Sequence, residues 1–273
     1  MSLIVSSLNS GSNGNCYYIG NREEAVLIDA GLSMREIDRR LKRQELSLRK
    51  VRAIFITHEH ADHIGGLHKL ARRHQLPVYM THETRKETRI GPGDILFRSF
   101  IPHEEIRIGR LTVTPFPTLH DAADPHGFLV SHEGVSAGVF TDLGTTTPAV
   151  EKYFQRCHAA FLESNYDEEM LRTGGYPPHL QDRIRGERGH LSNMQALELF
   201  LRLRPPFMTH LFLAHLSQNN NRPELVEKIF AEVAGTTQII VASRHQETGV
   251  YVIGEGPDAQ RSQAAAASQL SLF

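Results

Sequence analysis

The sequence predicts an α/β fold, and three observations carry that reading. Apolar runs of strand length alternate with amphipathic stretches of helical period. The alternation occurs in two successive halves, each grouping strands with helices. The 273 residues fit one large α/β domain or two small ones and can bury a sizeable core. Strands and helices grouped in this way suggest two sheets packed together with helices outside, a four-layer αββα sandwich. The pattern alone supports α/β; the sandwich leans on the motifs described below.

The elements follow in order. β-like runs fill residues 3–8, 16–19 and 25–28. Ser33 reads as the N-cap of a helix that places Met34, Ile37 and Leu41 on one face. A strand is predicted over 51–56, a helix over 64–74 and a strand over 77–80. Residues 94–141 are rich in strand signals, with clean alternation at 111–116 and a hairpin turn at Glu133-Gly134. The second half gives a strand at 159–162, a helix at 193–203 and a strand at 207–214, then a helix at 224–233 and a strand at 238–242. From 255 to 268 the chain is mostly Gly, Pro, Ala, Gln and Ser. Such a stretch cannot bury enough surface to offset its ordering entropy, so a flexible linker is expected there. The expected division is a catalytic domain at 1–254 and a tail at 255–273.

Composition narrows the function classes. A net charge of -1 gives no global basic field, so any contact with nucleic acid must be local. Two cysteines, Cys16 and Cys157, are too few for a disulfide framework and point to a reducing compartment. The opening residues lack a basic n-region and read as a strand rather than a signal peptide. No apolar run approaches the length of a membrane span. A cytoplasmic protein without membrane contact is the expectation.

The chemistry is concentrated in His58-Glu59-His60-Ala61-Asp62-His63. With 16 histidines in the chain, His-x-His-x-Asp-His arises by chance roughly two times in a thousand such sequences. The cluster lies just beyond a predicted strand, where loops carry ligands on a rigid scaffold. From an extended turn His58 and His60 can point one way while Asp62 and His63 face a second centre. Imidazole and carboxylate without thiolate suit a catalytic zinc or manganese site rather than a structural zinc. A solvated His-rich loop is the plain alternative.

The cluster resembles the signature of the metallo-β-lactamase superfamily, whose other motifs occur in the same order. Asp29, in Ile28-Asp29-Ala30-Gly31, resembles the buried Asp that braces the metal loop. His120 resembles the third His of the first metal, Asp142 the bridging Asp and His215 the last His of the second metal. The resemblance implies two divalent metal ions, zinc or manganese. One would sit on His58, His60, His120 and Asp142, and the other on Asp62, His63, Asp142 and His215. Two ions about 3.5–4 Å apart can clamp both the attacking and the leaving oxygen.

Glu163, followed by Gly189-His190-Leu191-Ser192, is similar to the Glu and His-x-Thr motifs of the ribonuclease Z-like phosphodiesterase branch. There the Glu orients a His that lies off the metals. The resemblance therefore implies Asp62, Glu163 and His190 as the catalytic group, with His190 protonating the leaving oxygen or steadying the phosphoryl oxygens. The structural alternative is that Ser192 simply caps a helix. The loop Ser10-Gly11-Ser12-Asn13-Gly14-Asn15 exposes backbone N–H groups that suit a phosphate, or else forms a tight turn. Together with His215-Leu216-Ser217 and the asparagines after it, the loop resembles bacterial YycJ/WalJ-type exonucleases. Phosphate contact is therefore expected at Ser12, Asn13, Asn15 and Ser192. The segment Ser243-Arg244-His245-Gln246 departs from that group and leaves His245 unassigned; His103, His126 and His179 are expected on the solvated surface.

The tail ends in Gln269-Leu270-Ser271-Leu272-Phe273. This resembles the peptide by which bacterial polymerases and repair enzymes dock on the DNA sliding clamp, with Gln269, Leu270, Leu272 and Phe273 as contacts. It favours DNA over RNA as the substrate. The resemblance implies a 5′-to-3′ DNA exonuclease linked to replication or mismatch repair. A ribonuclease Z-like RNA-processing nuclease, a small-molecule phosphodiesterase and a non-catalytic clamp adaptor are the competing readings. Two basic runs could grip backbone phosphates: Arg35, Arg39, Arg40, Lys42 and Arg43, and Arg183, Arg185 and Arg188.

Overall fold

Strands whose both faces are apolar must be covered on both faces, and here they are. The computed structural model describes residues 2–91 and 93–254. The first half supplies β1 (Leu3–Asn9), β2 (Cys16–Gly20), β3 (Ala25–Ile28), helix α1 (Met34–Arg43) and β4 (Val51–Phe55). Helices α2 (Ala61–Ile64) and α3 (Leu67–His74) follow, then β5 (Pro77–Tyr79), α4 (His82–Glu87) and β6 (Leu96–Arg98). The antiparallel run β7 (Ile106–Ile108), β8 (Leu111–Pro117), β9 (His126–His132) and β10 (Val135–Phe140) opens the second half. It continues through α5 (Pro148–Phe154), β11 (Ala159–Glu163), α6 (Glu168–Thr173), α7 (Pro178–Arg185) and α8 (Asn193–Leu203). It closes with β12 (His210–Ala214), α9 (Pro223–Ala231), β13 (Gln238–Val241) and β14 (Tyr251–Ile253).

Two seven-stranded mixed sheets result, in the orders β14-β1-β2-β3-β4-β5-β6 and β13-β12-β11-β10-β9-β8-β7. Alternate residues of each strand face opposite layers, which is the period-two rule at work. In β2, Tyr17 and Ile19 enter the core between the sheets, while Cys16 and Tyr18 face the layer under α1 and α3. In β11, Ala159 and Phe161 enter the inter-sheet core, while Ala160 and Leu162 pack under α5, α8 and α9. Three apolar layers between four structural layers give the αββα sandwich that the sequence predicts. Both cysteines are buried in it as free thiols.

Two sequence expectations are corrected here, and four short helices went unread. The helix predicted over 64–74 is broken, because the Gly66 N–H bonds Ala30 O at 2.8 Å and so leaves the helical ladder. A Cβ on Gly66 would lie 1.8 Å from Leu32 O, so only glycine allows that approach. The short helices α4, α6 and α7 have no stripe to betray them, burying one residue, one and none, whereas α5 buries Val150, Tyr153 and Phe154 and was missed despite that spacing. His126 is not on the solvated surface. It is buried on β9 with its ring against Phe100, and its Nδ1 lies 3.0 Å from Asp124 O. His245 and His179 are exposed, and His103 stacks on Tyr153.

His210 on β12 gives the fold an acid-labile point outside the site. Burial pushes its imidazole down to about 4, with a hydrogen bond to the Gln238 side chain working the other way. The unfolded imidazole titrates near its ordinary value, about 6.5. Between about pH 6.5 and 4 the unfolded chain therefore binds the extra proton, so stability falls as pH falls through that window. The contribution is on the order of 3 kcal/mol when fully expressed. Thermal melts from pH 7 to pH 4 should drop more steeply for the parent protein than for His210→Gln. Parallel slopes would remove His210 from this role.

Candidate metal centre

The site gathers at the C-terminal ends of strands from both sheets, where connecting loops are free to carry polar side chains. Asp29 follows β3, His58 and His63 follow β4, Asp142 follows β10, Glu163 ends β11 and His215 follows β12. Asp29, Asp142 and His215 adopt left-handed backbone, with φ of 62°, 57° and 55°. Non-glycine residues seldom do so, and such strained residues cluster where a function holds them.

Asp29 is buried and ties two loops together. It accepts from the Thr57 N–H at 2.9 Å and from Thr57 Oγ1, and lies 2.7 Å from His63 Nδ1. The residues 29–31 and 58–63 are in backbone contact as well, through Ala30 N to His63 O at 2.8 Å. A Cβ on Gly31 would overlap Asp62 O at 1.7 Å, so the close approach needs glycine.

Four of the five clustered histidines have Nδ1 already engaged. His58 Nδ1 is 2.9 Å from Thr57 Oγ1, His63 Nδ1 meets Asp29, His120 Nδ1 is 2.9 Å from Gly189 O, and His215 Nδ1 is 2.9 Å from Glu163 Oε1. Fixing one ring nitrogen in this way orients the other, as outer partners do for metal-binding histidines. The Nε2 atoms converge on two carboxylates. Asp142 Oδ2 is 3.2 Å from His63 Nε2, and Asp142 Oδ1 is 3.7 Å from His120 Nε2. Asp62 Oδ2 is 3.5 Å from His63 Nε2 and 3.6 Å from His215 Nε2. Two triads emerge, His58-His60-His120 and Asp62-His63-His215, with Asp142 grouped with His58 and His63 between them.

Opposed charges and burial compete within the cluster. Burial opposes charge on Asp142, yet His215, His63 and His58 hold its carboxyl well below the usual range. Burial likewise opposes charge on His215, but Asp142, Asp62 and Glu163 push it up to about 10. His58 goes the other way, well below an ordinary imidazole, because burial and the neighbouring histidines disfavour its cation. Within the cluster, His58 Nε2 and His215 Nε2 are buried with no hydrogen-bond partner among the described residues, and Asp142 Oδ2 meets only His63 Nε2 at 3.2 Å. Buried polar atoms are rarely left so, and imidazole with carboxylate is a donor set for divalent metal ions. The residues present fit such ions.

His190 stands beside this cluster. Its Nδ1 lies 2.8 Å from Glu163 Oε1, the same oxygen that meets His215. Glu163 Oε2 accepts from Leu143 N at 2.7 Å, so the buried carboxylate is held from two sides. Glu163 and Asp142 raise His190 above its ordinary value despite burial. A cavity of about 230 Å³ opens here, lined by His190, His215, Ser12, Asp121, Tyr176 and Arg183 among others. Asp121 was not visible as a site residue in the sequence. Its Oδ1 is 3.1 Å from His120 Nε2, and its other oxygen pairs with Arg183 at the mouth.

The expected phosphate contacts divide. Ser12 is exposed at the cavity wall, and Asn13 is exposed with its amide on Arg244 O at 2.7 Å. Asn15 is buried, with Nδ2 3.1 Å from Asp62 Oδ2 and 3.0 Å from His63 Nε2, so its amide supports the cluster. Ser192 is buried in a capping box on α8. Arg40 is buried too and binds Leu8 O and Asn9 Oδ1, a structural use of a residue from the first basic run. Gln269, Leu270, Leu272 and Phe273 lie outside the described residues.

The family model of the beta-lactamase superfamily domain matches residues 24–215, which contain every clustered residue named above. The chain belongs to the β-lactamase superfamily. Among curated members, exodeoxyribonuclease YycJ of Bacillus anthracis is 37% identical over 237 residues, covering 85% of this chain and 89% of that protein. Exodeoxyribonuclease WalJ of Streptococcus pneumoniae is 31% identical over 225 residues, covering 81% of this chain and 84% of that protein. Among solved structures, the metallo-β-lactamase fold protein YhfI of Bacillus subtilis superposes with a TM-score of 0.70 at 14% identity, covering 92% of this chain and all of that one. As a superfamily member with this fold, the chain is a metal-dependent hydrolase, and the fold implies divalent metal ions. No helix among the described residues is long and apolar enough to cross a membrane.

Proposed function

We propose that the chain is a binuclear phosphodiesterase that degrades DNA from an end. The observation that carries this reading is Glu163, whose one carboxylate oxygen meets both His215 in the cluster and His190 beside it. That arrangement supports a proton donor at His190 beside the ligand cluster, which suits a leaving oxygen of a phosphodiester. The exodeoxyribonuclease names of the relatives support DNA. In this reading His58, His60, His120 and Asp142 hold one ion, and Asp62, His63, Asp142 and His215 hold the other, zinc or manganese. Bound there, such ions supply a water acidic enough to attack at neutral pH and take up charge on the phosphoryl oxygens.

The chain's own residues do the rest. Glu163 fixes the His190 ring through Nδ1 and favours its charged form, so the other nitrogen is the one that donates. Asp62, shared between His63 and His215, orients the attacking side. Ser12 at the cavity wall, Asn13 next to it in the loop, and Arg183 once drawn from Asp121, contact phosphate. In this reading 1–254 is the catalytic domain. The 255–273 tail carries the clamp-docking peptide, with Gln269, Leu270, Leu272 and Phe273 as contacts, and the polarity is 5′ to 3′. The protein then works on DNA in the cytoplasm, in replication or mismatch repair.

The test is metal-loaded protein, zinc or manganese in turn, on DNA and RNA labelled at either end. Mononucleotide release from 5′-ended DNA is expected. Preferential cleavage of RNA would replace this reading with an RNA-processing one. Deleting residues 269–273 should leave that activity on naked DNA intact and abolish binding to purified sliding clamp. Leu272 and Phe273 are the anchors, since each buried apolar side chain contributes about 1.5–3 kcal/mol. Undiminished clamp binding after the deletion would remove the docking role.

A further inference from the structure

The Gly-rich loop and the segment 243–246 meet in space, although the sequence ties neither to the other. A Cβ on Gly11 would lie 3.2 Å from Arg244 Cβ, and Asn13 Nδ2 donates to Arg244 O at 2.7 Å. Ser10 N donates to Ser243 O at 3.1 Å, and Ser10 Oγ accepts from His215 N at 2.7 Å. The loop thus connects the last clustered histidine to Arg244. Beside it lies a second cavity of about 310 Å³, lined by Leu216, Pro223, Val241, Ala242 and Arg244 among others. Leu216 and Ser217 line both this cavity and the one at the metal centre, so the two are neighbours across a single wall.

Arg244 is the unusual member. Its Nη1 is buried and has no hydrogen-bond partner among the described residues. Its Nη2 reaches only Ser12 Oγ at 3.5 Å. A guanidinium presents a fork of donors matched to phosphate, and a buried donor left unmade is costly. Ser12, in turn, lines the cavity at the metal centre. We propose that this second cavity is a nucleotide subsite. Its apolar walls take the nucleoside next to the scissile bond, and Arg244 binds the phosphate flanking the scissile one. The proposal rests on the phosphodiesterase reading above and names where its substrate strand runs.

Thymidine 3′,5′-bisphosphate tests it, because one phosphate can occupy the metal centre while the other reaches Arg244. The bisphosphate and both thymidine monophosphates are titrated into the metal-loaded, full-length protein by calorimetry. The bisphosphate should bind about tenfold or more tightly than either monophosphate, as a charge-assisted hydrogen bond would give. Arg244→Gln should bring that ratio to within about twofold, and Arg244→Lys should keep part of it. Monophosphate binding by the variants reports whether the rest of the site is folded. Equal affinities in the parent protein, or a preference that survives in Arg244→Gln, would overturn the subsite. DNA cleavage with no bisphosphate preference sinks the subsite alone. A preference lost in Arg244→Gln, in a protein that cuts no DNA, supports the subsite and sinks the nuclease reading.

Discussion

Asp142→Asn is expected to abolish turnover and to lower bound metal at both positions. Asp142 faces His63 with one oxygen and His120 with the other, so its loss reaches both triads at once. Removing an outer partner of a metal ligand typically costs about 10–100-fold in affinity or activity, and a ligand shared by two ions should cost more. The choice of Asn matters. With φ at 57°, alanine here would add a backbone penalty of roughly 1–2 kcal/mol, whereas Asn tolerates left-handed backbone and keeps the volume. Elemental analysis beside a turnover assay reads the result, and a thermal melt shows that the variant is folded. Two ions per chain with normal turnover would refute the binuclear arrangement.

The sequence exposed this site unevenly, for physical reasons. His58, His60, Asp62 and His63 were legible because all four fall within six residues, in a pattern that chance seldom gives. Asp29, Asp142 and His215 each stand just past a strand, where an Asp or His is ordinary; only their order along the chain gave them weight. The α/β class was legible because strands covered on both faces, such as β2 and β11, read as unbroken apolar runs, whereas the sandwich followed only from the order of the motifs. The helix α7 left no trace, since it buries nothing, yet it brings Arg183 to the mouth of the cavity. Polar residues were the hardest to place. Asn15 and Ser12 lie three positions apart in one loop, but one turns inward to Asp62 and His63 while the other stays at the wall. No local pattern distinguishes them, because the difference is set by contacts 47 and 48 residues away. Arg244 was hidden for the same reason: its significance is an unpartnered nitrogen, which exists only once residues 10–15 and 216–223 close around it.

His190→Ala should cut turnover by about 10²–10⁴-fold while metal content stays unchanged. The metal content of the variant separates the two roles a histidine could play here. His190 lies near enough to Asp142, Glu163 and His215 to be grouped with them as a metal ligand. Its Nδ1 is held by Glu163 at 2.8 Å and its ring, 22% exposed, lines the open cavity where a substrate would lie. Glu163 also raises its proton affinity, so a proton is available where a leaving oxygen would need one. A general acid matters in proportion to how poor the leaving group is. The defect should therefore be large on DNA, whose leaving group is an alkoxide, and should shrink on bis(p-nitrophenyl) phosphate, whose leaving group departs without help. An equal defect on both substrates would mean that His190 steadies phosphoryl oxygens instead of delivering a proton. Loss of metal from the variant would make it a ligand and leave the proton without a donor.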